Sequence, residues 1–244
     1  MEEFIMLDKN TLSSIRKLAF QIDWDDAFDG KSKGNQHLFR ITEIAKFLAN
    51  KEGANLFVVE AGALLHDVAL PFGDDTNCEK NKEIIAKLLK SFILSDNELD
   101  KIIECVAFHE GLVVPKGLEA QVVHDADVLE KSGLLGIIRH TWKLTNLKKI
   151  KSTKVDEKVV DVILQHIQWR GQRVQTFLAK KINLYLTAEM DLHQAKRVIS
   201  KVIELAQNGV ITEEIAKALS VELNDVQKEK LKEQLNLMYL HHFA

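Results

Sequence analysis

The sequence has little proline, glycine or cysteine, and each shortage excludes a class of structure. Two Pro and 11 Gly in 244 residues leave little of the turn chemistry that a multi-stranded sheet needs. Cys78 and Cys105 are too few and too far apart for a disulfide framework or a zinc ribbon. The two cysteines therefore indicate reduced thiols and a reducing compartment.

Neither sign of charge dominates, and no long apolar run occurs. Lys and Arg number 33 against 36 Asp and Glu, a formal net charge of -3. No basic field over the whole chain therefore predicts nucleic acid as a partner, although this balance leaves room for local patches. No window contains the roughly 20 apolar residues of a membrane helix, and the N-terminus MEEFIMLDKN is acidic and short of apolar length. We expect a cytoplasmic protein without a membrane partner.

Leu, Ile, Ala, Lys and Glu recur at helical spacing, which predicts an all-α fold. One predicted helix starts near His37 and has an apolar stripe of Leu38, Ile41, Ile44, Ala45 and Leu48. The next begins at the break KEGANL and ends at His66. A later helix has Ser95 as its N-cap, with Glu98 completing a capping box.

From about residue 151 the sequence contains long amphipathic helices without clusters of candidate ligands. We therefore expect a core over residues 1–150 and a helical extension over residues 151–244. In the extension, Thr212 is predicted to cap one helix and either Asn224 or Asp225 the next.

The hairpin at 208–240 is a candidate either for packing on the main domain or for pairing with a second copy of the chain, as a homodimer. A DNA-binding helix-turn-helix would have a similar outline. However, its second helix, DVQKEKLKEQL, balances Lys against Glu, whereas a recognition helix has a basic face.

Polar side chains stand at the ends or on one face of several predicted helices: His37, His66 with Asp67, His109 and Asp127. Adjacent helical residues such as His66 and Asp67 diverge by about 100°, so one metal ion takes both only if other helices supply ligands. A helical bundle converges side chains in this way. Two His and two Asp suit an octahedral divalent ion, with room for water and a phosphate oxygen. Mn, Mg, Fe, Co and Ni fit this count, whereas zinc favours fewer ligands.

The order of His37, then the His66-Asp67 pair, then DADVLEKSG with Asp127 resembles the HD-domain metal-dependent phosphohydrolases, in particular their small stand-alone prokaryotic type. The similarity runs from about Leu12 to Trp142 and includes HLFRI, FHE and EAQVVHDADVLEKSG. It implies an all-α HD-domain bundle. It also implies a divalent metal shell of His37, His66, Asp67 and Asp127.

The resemblance further implies hydrolysis of a phosphoester or phosphoanhydride, with nucleotides as the favoured small-molecule substrate and nucleic acid not expected. Asp67 and His109 would be the catalytic residues, with His109 at the edge of the site. The rival hypothesis is an HD-fold binding or regulatory protein with little turnover.

The resemblance leaves one choice between two aspartates, and the sequence departs from the family in one place. Asp127 is preferred to Asp125 as the ligand because it stands in an Ala-Asp pair with an apolar residue two positions later. Asp125 would then orient a histidine ligand. Where many relatives carry a lysine or a glutamate after the HD pair, this chain has Leu70. The candidates to replace that acid or base are Asp74, Asp75, Glu110 and His109.

Overall fold

A computed structural model describes these residues of the chain: 2–22, 36–72, 76–110, 112–150, 152, 154–187 and 189–244, without the side chains of 2–9 and 220. The backbone of these residues contains twelve α-helices and no β-strand, which confirms the predicted all-α fold. The helices are α1 (Glu2–Gln21), α2 (Gln36–Glu52), α3 (Leu56–Leu65), α4 (Cys78–Leu89), α5 (Asp96–Ala107), α6 (Leu118–Glu130), α7 (Gly133–Asn146), α8 (Glu157–Gly171), α9 (Phe177–Leu186), α10 (Leu192–Gln207), α11 (Thr212–Ala218) and α12 (Asp225–Asn236).

The chain divides into two compact units. The first comprises residues 1–127 together with 175–179, and the second comprises 128–174 together with 180–244. Each unit has its own buried apolar side chains. The boundary expected near residue 150 separates a core that contains the candidate ligands from a helical extension. That division stays a prediction.

Helix α3 is the centre of the first unit. It packs against α1, α2 and α5, and seven of its ten residues are buried. A helix that is apolar all round belongs inside a core. At Gly62 the packing is so close that an added Cβ would lie 2.5 Å from the Cβ of Cys105. This buried helix ends at Leu65, so His66 and Asp67 emerge from a rigid support.

Helices α2 and α5 follow the sequence closely. The predicted apolar stripe of α2 is buried: Leu38, Ile41, Ile44, Ala45 and Leu48. Arg40 is also buried, at 2% exposure. Helix α5 has the predicted capping box of Ser95 and Glu98.

The second unit is built around α7, which packs against α8, α10, α11 and α12. Asn224 caps α12 and forms a capping box with Gln227, which confirms one of the two predicted caps. The predicted cap at Thr212 is wrong by one residue. Ile211 holds the cap position without a side-chain hydrogen bond, because the side chain of Thr212 is buried instead. In the part of the chain that the structure describes, no helix is long and apolar enough to cross a membrane.

Candidate metal centre

Four helices of the first unit place their polar side chains around one point. His37 lies in the first turn of α2, His66 and Asp67 follow the last residue of α3, and Asp127 lies near the end of α6. One ligand atom from each of His37, His66 and Asp127 lies within 4.8 Å of the others. His109 follows the end of α5 and packs its ring against His66, with 5.2 Å between the ring centroids.

The two carboxylates lie between the histidines. The Oδ2 atom of Asp67 is 3.5 Å from His37 Nε2 and 3.3 Å from His66 Nε2. The Oδ1 atom of Asp127 is 3.6 Å from each of the same two nitrogen atoms. These separations exceed the usual 2.7–3.2 Å of a hydrogen bond. They match neighbouring ligands that share an ion, since two atoms about 2.1 Å from one metal lie roughly 3.0–3.4 Å apart.

Two histidines have a tautomer that suits metal binding. His66 Nδ1 is 2.7 Å from the carbonyl of Ala63, and His109 Nδ1 is 2.7 Å from the carbonyl of Val106. A carbonyl oxygen only accepts, so Nδ1 donates and, in the neutral ring, Nε2 keeps its lone pair. This backbone contact orients the ring in the way that supporting groups do in known metal sites.

Burial and charge favour an ionised carboxylate at the centre. Burial by itself raises the pKa of Asp67, but the positive potential of His66 and the contacts with His109 and His37 outweigh it and hold that pKa well below its usual value. The side chain of Asp127 is fully buried. A buried carboxylate needs a compensating cation.

The arrangement therefore fits a divalent ion. His37, His66, Asp67 and Asp127 would supply two nitrogen and two oxygen ligands. His109 Nε2 faces the other oxygen of Asp67, Oδ1, at 3.6 Å. It is buried and has no hydrogen-bond partner among the described residues, so it points into the same centre from a separate side.

Asp125 takes a different role from the one predicted. Its Oδ1 accepts a hydrogen bond from the backbone N–H of Gln175 at 2.8 Å, and its Oδ2 accepts one from that of Thr176 at 2.6 Å. Residues two apart on a helix point about 200° apart, so Asp125 faces away from Asp127. Burial raises the pKa of Asp125, and the two N–H donors oppose that shift. Asp125 therefore anchors residues 175–179 to α6 rather than orienting a histidine of the centre.

His124 supports the centre from α6. Its Nδ1 lies 2.9 Å from the backbone carbonyl of His109. In the sequence, His124 stands three residues before Asp127. The contact with residue 109 joins positions 15 apart, and no local pattern signals it.

The structure describes two of the four candidates for the missing acid or base. Leu70 begins a short 3-10 turn. Asp74 and Asp75 lie outside the described residues. Glu110 is half-buried and directly follows His109. Of these candidates, His109 is in contact with the predicted ligands Asp67 and His66.

Part of the chain is similar to known proteins. The family described as "HD domain" matches residues 35–132. The chain is 33% identical over 112 residues to "Uncharacterized protein YpgQ" of Bacillus subtilis, covering 42% of this chain and 53% of that protein. It is 32% identical over 94 residues to "Ribonuclease Y" of Treponema denticola, covering 38% of this chain and 18% of that protein. The matches therefore span about half of one relative and less than a fifth of the other.

Solved structures show the same fold. The crystal structure of B. subtilis YpgQ in complex with ADP has a TM-score of 0.55 at 20% identity, covering 74% of this chain and 89% of that one. An HD-superfamily hydrolase of Bacillus thuringiensis has a TM-score of 0.55 at 20% identity, covering 82% and 98%. A Lactobacillus plantarum protein has a TM-score of 0.58 at 22% identity, covering 82% and 96%. Residues 35–132, which include the predicted ligands, therefore match the HD-domain family, and the chain has the fold of these solved structures, among them an HD-superfamily hydrolase.

Proposed function

We propose that the chain is a divalent-metal-dependent phosphohydrolase that acts on a phosphoester or phosphoanhydride of a nucleotide. The observation that carries the proposal is the set of four 3.3–3.6 Å separations between the His37 and His66 nitrogens and the Asp67 and Asp127 oxygens. Such buried groups need a shared cation to be stable together. HD-superfamily hydrolases have the same fold.

The residues would divide the work by position. His37, His66, Asp67 and Asp127 would hold the ion through Nε2 and carboxylate oxygen atoms. When bound, a divalent ion lowers the pKa of a coordinated water and polarises a phosphoryl oxygen. Asp67 would serve as ligand through Oδ2, while its Oδ1 lies near His109.

His109 is the residue that we assign to proton transfer or to the phosphate. Its Nδ1 is held by the Val106 carbonyl, so only Nε2 can exchange a proton with the reacting groups. In the protonated ring, Nε2 would donate to a phosphate oxygen, and in the neutral ring it would accept a proton. Asp67 would stabilise the protonated ring, because its Oδ1 lies 3.6 Å away.

A nucleotide substrate is supported by two relatives. YpgQ of B. subtilis has been crystallised with ADP, and Ribonuclease Y of T. denticola is named for cleavage of a phosphodiester polymer. ADP and ribonucleic acid both contain phosphate linked to a nucleoside. A nucleoside phosphate is therefore the substrate class to test first.

The test measures both the metal content of the chain and its rate of hydrolysis. Chain purified without chelators is analysed for Mn, Mg, Fe, Co and Ni. It is then screened against nucleoside mono-, di- and triphosphates and nitrophenyl phosphoesters. We expect metal-stimulated release of phosphate or nitrophenol, and its loss in His66→Ala. His193→Ala is the matched control, because His193 is exposed on α10, away from the predicted ligands in the sequence.

The rival hypothesis predicts a different outcome. A binding or regulatory HD protein would retain the metal and bind a non-hydrolysable nucleotide in a calorimetric titration, yet release no product with any metal. The residue Leu70, in place of a charged side chain, is the observation that favours this rival.

A further inference from the structure

Positive charge is concentrated in one stretch of the chain. Residues 131–188 contain twelve Lys and Arg against three Asp and Glu, a formal charge of +9, whereas the remaining residues have 21 against 33, a formal charge of -12. All the charged residues of this stretch belong to the second unit. Such asymmetry within one chain is typical of a surface that binds a polyanion.

Planar side chains cluster at the end of α8 within this stretch. His166 and Trp169 are three residues apart on one side of the helix, and Arg173 lies two residues after the last helical residue, Gly171. The ring centroids of His166 and Trp169 are 5.9 Å apart, and the guanidinium carbon of Arg173 is 4.8 Å from the Trp169 ring. His140 of α7 stacks on His166 with 3.9 Å between centroids and 11° between planes. These four residues are called the planar row below.

Trp169 is the exposed member of the planar row. Trp169 is 38% exposed and belongs to the exposed large hydrophobic residues, as does Val162, one turn before His166 and 52% exposed. A tryptophan that only stabilised the core would be buried. Its exposure, together with a guanidinium group against its ring, makes it a stacking surface for another planar molecule.

Positive charge surrounds the planar row. Burial is the largest of the causes that lower the pKa of His140 to about 3, and the positive charges of His166, Lys143, Arg170 and Lys131 add to it. Helix α7 contains no acidic residue, and α8 contains none after Asp161. An anion near the planar row would therefore meet a positive potential.

We propose that this surface of the second unit binds single-stranded nucleic acid. Phosphate groups would be held by Arg173 and the surrounding Lys and Arg residues, while bases would stack on Trp169. A base-free polyanion or an anionic membrane would use the charges but not the stacked planes. The net charge of the whole chain conceals this surface, because the acidic remainder cancels it.

The test is fluorescence anisotropy of a labelled 20-nucleotide oligo(dT) titrated with the full chain as purified, at several salt concentrations. We expect binding that weakens steeply as salt rises. Trp169→Ala should weaken it by about 5- to 150-fold, the range for one lost base-stacking contact. Trp169→Phe should retain most of the affinity, because it keeps a ring.

A charge control makes the result specific. Arg173→Gln should weaken binding and lower the steepness of the salt dependence by about 0.7 for one lost phosphate contact. Arg197→Gln removes the same charge from an exposed position on α10 outside residues 131–188 and should leave binding unchanged. Circular dichroism of each variant checks that it is folded.

Three outcomes would overturn the proposal. The first is no binding of the oligonucleotide at 50 mM salt, and the second is equal binding by Trp169→Ala and the unaltered chain. The third is binding of inorganic polyphosphate, or of vesicles with anionic phosphatidylglycerol, as tightly as the oligonucleotide. The proposal does not depend on the phosphohydrolase activity: His66→Ala, which should lose hydrolysis, should bind the oligonucleotide unchanged.

Discussion

Asp125 and Asp127 lie two residues apart on α6, and replacing each by alanine should have opposite effects. Asp127 lies 3.6 Å from the nitrogens of two histidines, whereas Asp125 accepts two backbone N–H groups from residues 175 and 176. Asp127→Ala should therefore remove metal binding and metal-dependent hydrolysis. Asp125→Ala should leave the metal ligands in place and destabilise the fold.

The size of each effect follows from these contacts. Hydrogen bonds to a charged group contribute about 1.5–3 kcal/mol each, and Asp125 accepts two while fully buried. The two bonds share one carboxylate, so their contributions are not fully additive at the upper end of the range. Asp125→Ala should therefore lower the free energy of unfolding by roughly 3–5 kcal/mol. A chain of this size changes its Tm by about 2–4 °C per kcal/mol. The expected decrease is thus about 6–20 °C.

Metal binding gives the complementary signal. A metal at about 100 times its Kd stabilises the folded chain by about 2.7 kcal/mol, or roughly 5–11 °C here. The unaltered chain and Asp125→Ala should both show this rise, the latter from a lower starting Tm. Asp127→Ala should show no rise.

Thermal unfolding followed by circular dichroism, with and without Mn²⁺, measures both signals, and elemental analysis gives the metal content. The reasoning is refuted if Asp125→Ala loses the metal while Asp127→Ala keeps it. It is equally refuted if Asp125→Ala unfolds at the same temperature as the unaltered chain.

Three further predictions test other parts of the structure. Asp67→Ala should strip the metal and abolish its thermal stabilisation, because the ligand set loses a central carboxylate; unchanged metal content would contradict this. The pKa of His140 lies at about 3 in the folded chain against about 6.5 when unfolded, so the folded chain binds fewer protons and stability should fall as the pH decreases from 6.5 towards 3. Denaturant titrations should show that the free energy of unfolding of His140→Leu depends less steeply on pH than that of the unaltered chain. An identical slope would count against this assignment to His140. We also propose that the hairpin at 208–240 pairs two chains, because Val221 and Val226 are 89% and 68% exposed. The double variant Val221→Lys, Val226→Lys should convert a dimer to a monomer in sedimentation velocity. If the unaltered chain and the variant are both monomers, the pairing is excluded.

Much of the fold was predictable because its signals are local. The stripe of α2 and the apolar run of α3 repeat at helical spacing, so burial of one face follows from the sequence alone. The order of His37, the His66-Asp67 pair and Asp127 placed the candidate ligands on separate helices. In the structure, the Nε2 atoms of His37 and His66 lie 3.3–3.6 Å from carboxylate oxygen atoms of Asp67 and Asp127.

The rest depends on contacts between residues far apart in the sequence. The backbone of Thr176 returns to Asp125 across 51 positions, and nothing near either residue signals that pairing. The same holds for His140 and His166, which stack across two helices. Local cap patterns also fail when the tertiary structure buries the capping side chain, as it does for Thr212.

The metal content of the purified chain tests the central claim most directly. Protein prepared without chelators should contain about one or two divalent ions per chain, and His66→Ala should contain almost none while His193→Ala retains them. An unaltered chain that takes up no divalent ion, even after incubation with Mn²⁺, Fe²⁺, Co²⁺ or Ni²⁺, would contradict the account. Equal metal content in His66→Ala and the unaltered chain would contradict it as well.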